Sequence, residues 1–277
     1  MKMTKDSNDF PGYYIAPPIK KMLDKGKNKV IKQDWDRVYI IDGSEGSGKS
    51  LLALQLGYYL DPTLNLNRIT FSGKEFSEAI NKASKNQCII FDEAFNGLSS
   101  SGATSRLNRL IVSKLMECRQ KNLFLIIVLP TIFLLQKYAA IFRSKVLFHV
   151  YTTRSGNRGY YKVYNQKNKR ILYLTGLKMY SYSKPWIKKS FRFYGKYPID
   201  EEAYRKKKLE MIKSQEPLEK LSRNEKWLIT LIRLAKEEYG ITYKSIAEGL
   251  KKRGYPIDPD TITRKLSKIP PNSQKNY

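Results

Sequence analysis

The sequence predicts an α/β fold with a parallel sheet flanked by helices, and three observations carry that prediction. Arg37-Val38-Tyr39-Ile40-Ile41 is a short apolar run rich in β-branched residues, the pattern of a buried parallel strand. It passes directly into a glycine-rich loop and then into the helix formers Leu51 to Leu56. A second apolar run, Cys88-Ile89-Ile90-Phe91, ends in two adjacent carboxylates, Asp92 and Glu93. Strand patterns alternating with helix patterns in this way point to βαβ units.

Composition limits what such a fold serves. The chain has 277 residues, enough for one large domain or a core domain with a smaller companion. Fifty-two Lys and Arg against 25 Asp and Glu give a net charge of +27, which points to a polyanionic partner. Leu123 to Leu135, the longest apolar run, is interrupted by Pro130 and is too short to span a bilayer. Residues 1–10 are polar and lack the apolar segment of a secretion signal, so the expected location is cytoplasmic, with no membrane partner. Cys88 and Cys118 fit reduced thiols there. The single histidine, His149, lies in a strand pattern and argues against histidine-based zinc or triad chemistry.

The loop after the first strand reads Gly43-Ser44-Glu45-Gly46-Ser47-Gly48-Lys49-Ser50, a complete Walker A pattern in its strand–loop–helix setting. Its glycines let successive backbone N–H groups face phosphate oxygens, and the helix N-terminus adds its positive end. Lys49 is expected to reach the β- and γ-phosphates of ATP, and the Ser50 hydroxyl to ligate Mg²⁺. Asp92 and Glu93 then form a Walker B: Asp92 as a Mg²⁺ ligand through water, Glu93 as the group that orients or deprotonates the attacking water.

Between these motifs, Arg68 to Phe71 is a predicted strand and Lys74 to Ser84 a helix. A helix from about Ser105 to Gln120, a strand Leu123 to Leu129 and a strand Val146 to Tyr151 complete a core over residues 35–152. The strand added between the Walker motifs, and Glu93, favour an ATPase of the RecA-like P-loop kind over a kinase or a small GTPase. Thr131 stands where such ATPases place a polar γ-phosphate sensor. A ring ATPase also presents an arginine to its neighbour's γ-phosphate. Arg143 is the first candidate here and Arg106 the second.

Phe91-Asp92-Glu93-Ala94-Phe95, then Glu117-Cys118-Arg119-Gln120-Lys121, then the run into Leu129-Pro130-Thr131, resembles the FtsK–HerA type of DNA-pumping ATPases. That type includes zonula occludens toxin-like and viral DNA-packaging ATPases. The resemblance covers residues 37–152, and this chain has Pro130-Thr131 where the family closes a strand with glutamine. It implies a homo-oligomeric ring that moves DNA, with a viral or mobile-element partner protein.

The remaining chain is accessory. No acidic residue occurs between Glu117 and Asp200, although seventeen Lys and Arg do, and half of the twenty tyrosines fall between Tyr151 and Tyr204. Aromatics among cations can stack on bases while the cations hold phosphates, and they can equally form the inner face of a hairpin. Residues 153–199 are therefore read as a basic, aromatic β extension, with strands at Tyr160–Tyr164 and Arg170–Leu174 in a meander and an irregular segment from Lys184 to Tyr197. Arg154, Arg158, Lys188, Lys189 and Arg192 are its candidate DNA contacts. Residues 200–221 read as a charged linker helix stopped near Pro217. Residues 222–277 contain three helix patterns resembling a helix-turn-helix or winged-helix domain, with Thr261, Thr263, Arg264 and Lys268 on the exposed face of the third. A plain three-helix interaction module fits the same pattern. Residues 1–34 read as an arm, extended over Pro11 to Pro18.

The functions these features predict are an ATP-driven motor on DNA, an ATP-switched loader or target selector that does not translocate, or a nucleotide-dependent regulator with the C-terminal helices as output.

Overall fold

The computed structural model describes residues 12–92, 101–219, 223–255 and 258–267. The chain divides into two compact units, one ending at Lys208 and the other beginning at Leu209.

The first unit is built on a mixed seven-stranded sheet. Five parallel strands come first: β2 (Arg37–Gly43), β3 (Ile69–Thr70), β4 (Cys88–Phe91), β5 (Phe124–Val128) and β6 (Ser144–Tyr151). Two antiparallel strands, β7 (Tyr160–Tyr164) and β8 (Ser190–Arg192), extend one edge, giving the order β3-β4-β5-β2-β6-β7-β8. The β4 and β5 residues are all buried, as expected of parallel strands covered on both faces. Flanking helices are α1 (Pro17–Gln33), α2 (Lys49–Leu60), α3 (Gly73–Lys82), α4 (Ser101–Gln120) and α5 (Gln166–Gly176). One core joins Val38, Ile40, Phe91 and Ile127 of the strands to Phe76 of α3, Leu115 of α4 and Leu172 of α5. The parallel α/β core expected from the strand patterns is present.

Several expectations are corrected. Residues 170–174 are not a strand. They lie in α5, which starts at an Asn165 cap accepting from the Asn168 N–H (2.9 Å) and buries Lys169, Leu172, Tyr173 and Gly176 at helical spacing. The third strand of the meander is β8 instead, inside the segment expected to be irregular. Nor is the stretch Pro11 to Pro18 extended to its end. Residues 1–11 lie outside the described residues, β1 (Tyr13–Tyr14) pairs within the chain with β9 (Tyr194–Gly195), and Pro17 and Pro18 open α1. Proline is well suited to a first helical turn, where its missing N–H has no partner to lose. The Tyr14 and Tyr194 rings stack at 4.8 Å across the β1–β9 pair.

Helix α6 (Glu201–Glu219) runs past Pro217 rather than stopping at it, and the boundary between the units falls within it. The second unit contains α7 (Arg223–Tyr239), α8 (Tyr243–Lys252) and α9 (Pro259–Ser267). Gly240 and Gly254 follow α7 and α8 with φ of +63° and +83°, the left-handed conformation that ends helices. Thr242 caps α8, accepting from the Ser245 N–H (3.2 Å). Ile232, Ala247 and Ile262, one from each helix, are buried.

Candidate nucleotide site

The Walker A loop lies at the C-terminal end of β2, in the middle of the sheet. Gly43 and Gly48 are required there. Gly43 has φ +137°, and a Cβ on it would stand 1.9 Å from the Val150 carbonyl of β6. Gly48 has φ +98°, and a Cβ would stand 3.0 Å from the Phe193 ring. The Gly43 N–H donates to the Pro130 carbonyl (3.2 Å), which ties the loop to the end of β5. Helix α2 then begins at Lys49, so its N-terminal end faces the loop.

Lys49 Nζ donates to the carbonyls of Gly43 and Ser44, both at 2.8 Å, so its ammonium is held within the loop. Ser47 Oγ donates to the Ser44 carbonyl (2.7 Å) and tightens the turn. Ser50 Oγ donates to Asp92 Oδ1 at 3.2 Å, bringing residues 42 positions apart together at the ends of two parallel strands. Asp92 is buried, and Tyr204 of α6 donates its hydroxyl to the other carboxylate oxygen (2.5 Å). Lys208 Nζ lies 3.8 Å from that same oxygen. Burial first, and the Asp92 charge second, push the Tyr204 hydroxyl well above its ordinary range, so it is a proton donor here. Lys207 anchors this part of α6 by donating to the carbonyls of Leu66 (2.9 Å) and Ile69 (2.6 Å).

This donor set fits a nucleotide with its cation. Among the described residues no group of three or more His, Cys, Asp and Glu side chains could hold a metal by itself. A Ser hydroxyl and one Asp carboxylate are the sparse protein ligands that suit Mg²⁺, which takes its remaining ligands from phosphates and water. Glu45 is part of the loop, and Gly46 faces the β6–β7 turn: the Arg158 guanidinium lies 3.8 Å from where a Cβ on Gly46 would stand. Glu93 lies outside the described residues.

The other expected site residues separate. Thr131 follows β5 at the end of the sheet that carries the glycine loop, and its hydroxyl bonds the Tyr182 hydroxyl (2.8 Å). Tyr182 in turn donates to Asp42, which also accepts from the Ile132 N–H (2.9 Å) and pairs with His149 Nδ1 (2.8 Å). Asp42 is fully buried immediately before Gly43, and the rings of Tyr182 and His149 stack at 4.0 Å. The structural reading of His149 is thus given a partner. Neither Asp42 nor Tyr182 stood out in the sequence, because their contact spans 140 residues.

Arg143 is at the opposite end of the sheet, just before β6. Its guanidinium bonds Asp36 (2.6 Å) and the Leu115 carbonyl (2.7 Å), and both charges are largely buried. This pairing gives it an internal structural role and corrects its placement as the first arginine offered to a neighbour. Arg106 is exposed on α4. Arg154, Lys188, Lys189 and Arg192 are exposed on the extension. In the second unit, Thr263 is exposed and Thr261 half-buried, flanking buried Ile262, whereas Lys268 and the Arg264 side chain lie outside what is described. Among the described residues, no helix is long and apolar enough to cross a membrane. No protein-family model and no curated relative matches the chain.

Proposed function

We propose that this protein is an ATP-hydrolysing motor acting on DNA, a RecA-like P-loop ATPase that works as a homo-oligomeric ring in DNA translocation or packaging for a virus or mobile element. One observation carries the nucleotide part: Lys49 held inside the glycine loop while Ser50 meets Asp92 across two strands. The strand order supports it, since β5 is inserted between the loop-bearing β2 and the carboxylate-bearing β4. The acid-free run of cations from residue 118 to 199 supports the DNA part.

In this reading Lys49 binds the β- and γ-phosphates, and the backbone of Gly43 to Gly48 cradles them. Ser50 and Asp92 would hold Mg²⁺, which when bound would supply positive charge beside the phosphates. Tyr204 keeps the Asp92 carboxylate oriented toward Ser50. Glu93 takes the proton of the attacking water.

ATP turnover with and without long duplex DNA tests the proposal. Glu93→Gln should retain ATP binding and lose turnover by about 100-fold or more. Normal turnover in that variant would remove Glu93 from the chemistry. A motor displaces a bound roadblock from the duplex; turnover without displacement would favour a loader or target selector.

A further inference from the structure

Strands β6, β7 and β8 carry two cross-strand rows on one face. Register aligns Tyr151, Tyr160 and Arg192 in one row and His149, Lys162 and Ser190 in the next. Strand alternation puts Tyr161 and Phe191 on the other face, where their rings stack at 5.7 Å. On the first face these rows lie beyond the buried Leu147–Tyr164 pair and carry aromatic rings and cations.

The rings and cations are interleaved. The Arg192 guanidinium lies 5.0 Å from the Tyr160 ring centre, and Lys162 Nζ lies 5.4 Å from the Trp186 ring and 5.9 Å from Tyr151. Trp186 is 75% exposed, so its ring is open to a stacking partner. Tyr151 is pinned by a 2.6 Å bond to Ser190. The carboxylate nearest in register, Asp42 opposite His149, is fully buried and bonded by three groups, so its oxygens are not presented on this face.

We infer that this face is a platform for single-stranded nucleic acid, which binds by stacking unpaired bases on Trp186, Tyr160 and Tyr151 while Lys162 and Arg192 hold phosphates. A duplex keeps its bases stacked inside and rewards cations alone, so the exposed Trp186 ring and the half-buried Tyr151 and Tyr160 rings favour the single strand. The platform adjoins the nucleotide loop: Gly43 pairs with Val150, and Tyr151 is the next residue of β6. This inference rests on the nucleic-acid part of the proposed function and names the substrate's form.

Equilibrium binding of the full chain to labelled oligo(dT), and to a duplex of equal length, tests it. Oligo(dT) should bind more tightly, and Trp186→Ala and Tyr160→Ala should each weaken it by about tenfold. Trp186→Phe should stay within about twofold, because a π-face remains. Unchanged binding of a labelled ATP analogue shows that each variant is folded. Duplex bound as tightly as oligo(dT), or Trp186→Ala binding like the parent, would overturn the platform. A chain that hydrolyses ATP on duplex DNA without preferring oligo(dT) loses the platform and keeps the motor. One that prefers oligo(dT) through Trp186 and turns over no ATP keeps the platform and loses the motor.

Discussion

The parallel and antiparallel halves of the sheet treat charge in opposite ways. In the parallel half the buried cations are matched to carboxylates, Arg68 with Asp61 and Arg143 with Asp36. In the extension, among the described residues, no lysine or arginine from 151 to 199 meets a carboxylate. Its cations lie over rings, in solvent or, for Lys169, among carbonyls. The 52 Lys and Arg are thus of two kinds. One kind is paired with carboxylates inside the chain and supports the fold; the other, buried Lys169 apart, meets none of the chain's carboxylates among the described residues.

The largest test of this difference is a pair of substitutions. Arg143→Ala leaves Asp36 buried without its cation and should cost about 3–5 kcal/mol of stability. Arg192→Ala, on the exposed face, should change stability by no more than about 0.5 kcal/mol. Urea unfolding of both variants measures this. An Arg143→Ala protein that keeps its stability yet loses ATP turnover would restore that residue as an arginine presented to a neighbour.

Lys169 sharpens the comparison, because it is the fully buried cation of the extension. It donates to the Ser144 carbonyl (2.9 Å) and hydroxyl (2.5 Å) and to Ala140, closing the π-helix over Tyr138–Arg143. Burial, with a smaller push from Lys145, lowers its ammonium from 10.5 to about 7. Between those values the unfolded chain keeps a proton that the folded chain releases. Stability contributed by Lys169 therefore rises with pH across the window and is lost as pH falls toward 7. The stability of the parent minus that of Lys169→Met should grow by up to about 1.4 kcal/mol per pH unit in this range. A flat difference would mean that the surrounding carbonyls hold the charged form.

What the sequence disclosed and what it concealed divide along the same lines. The Walker motifs and parallel strands were legible because each is a local pattern: an apolar run, then glycines or carboxylates at fixed offsets. Helix α5 was missed for a physical reason. Its buried positions 169, 172, 173 and 176 have helical spacing, but the first is a lysine, which reads as solvent-facing until the Ser144 and Ala140 acceptors are known. Arg143 resembled any arginine before a core strand; its partner Asp36 is 107 residues away. The hydroxyls of Tyr182 and Tyr204 reach Asp42 and Asp92 over still longer separations, and no local pattern encodes such contacts.

Asp92 extends the comparison from cations to anions. It is a buried carboxylate of the parallel half, and its partners include two hydroxyls, Ser50 at 3.2 Å and Tyr204 at 2.5 Å, and the Lys208 ammonium at 3.8 Å. Hydroxyl donors orient a carboxylate without cancelling its charge, whereas the Lys208 ammonium offsets part of it. Tyr204→Phe removes the orienting bond and should weaken Mg²⁺ by about tenfold, the low end for a group that supports a metal ligand. Lys208→Met removes a nearby positive charge and should shift the Mg²⁺ midpoint the other way, toward tighter binding. The readout is the Mg²⁺ dependence of ATP-analogue affinity, compared with affinity in chelator. Loss of packing alone would lower affinity equally with and without Mg²⁺, whereas an orienting role moves only the Mg²⁺-dependent part. If both substitutions shift the midpoint in the same direction, α6 acts on the site through packing, and Asp92 belongs with the carboxylates that the fold itself consumes.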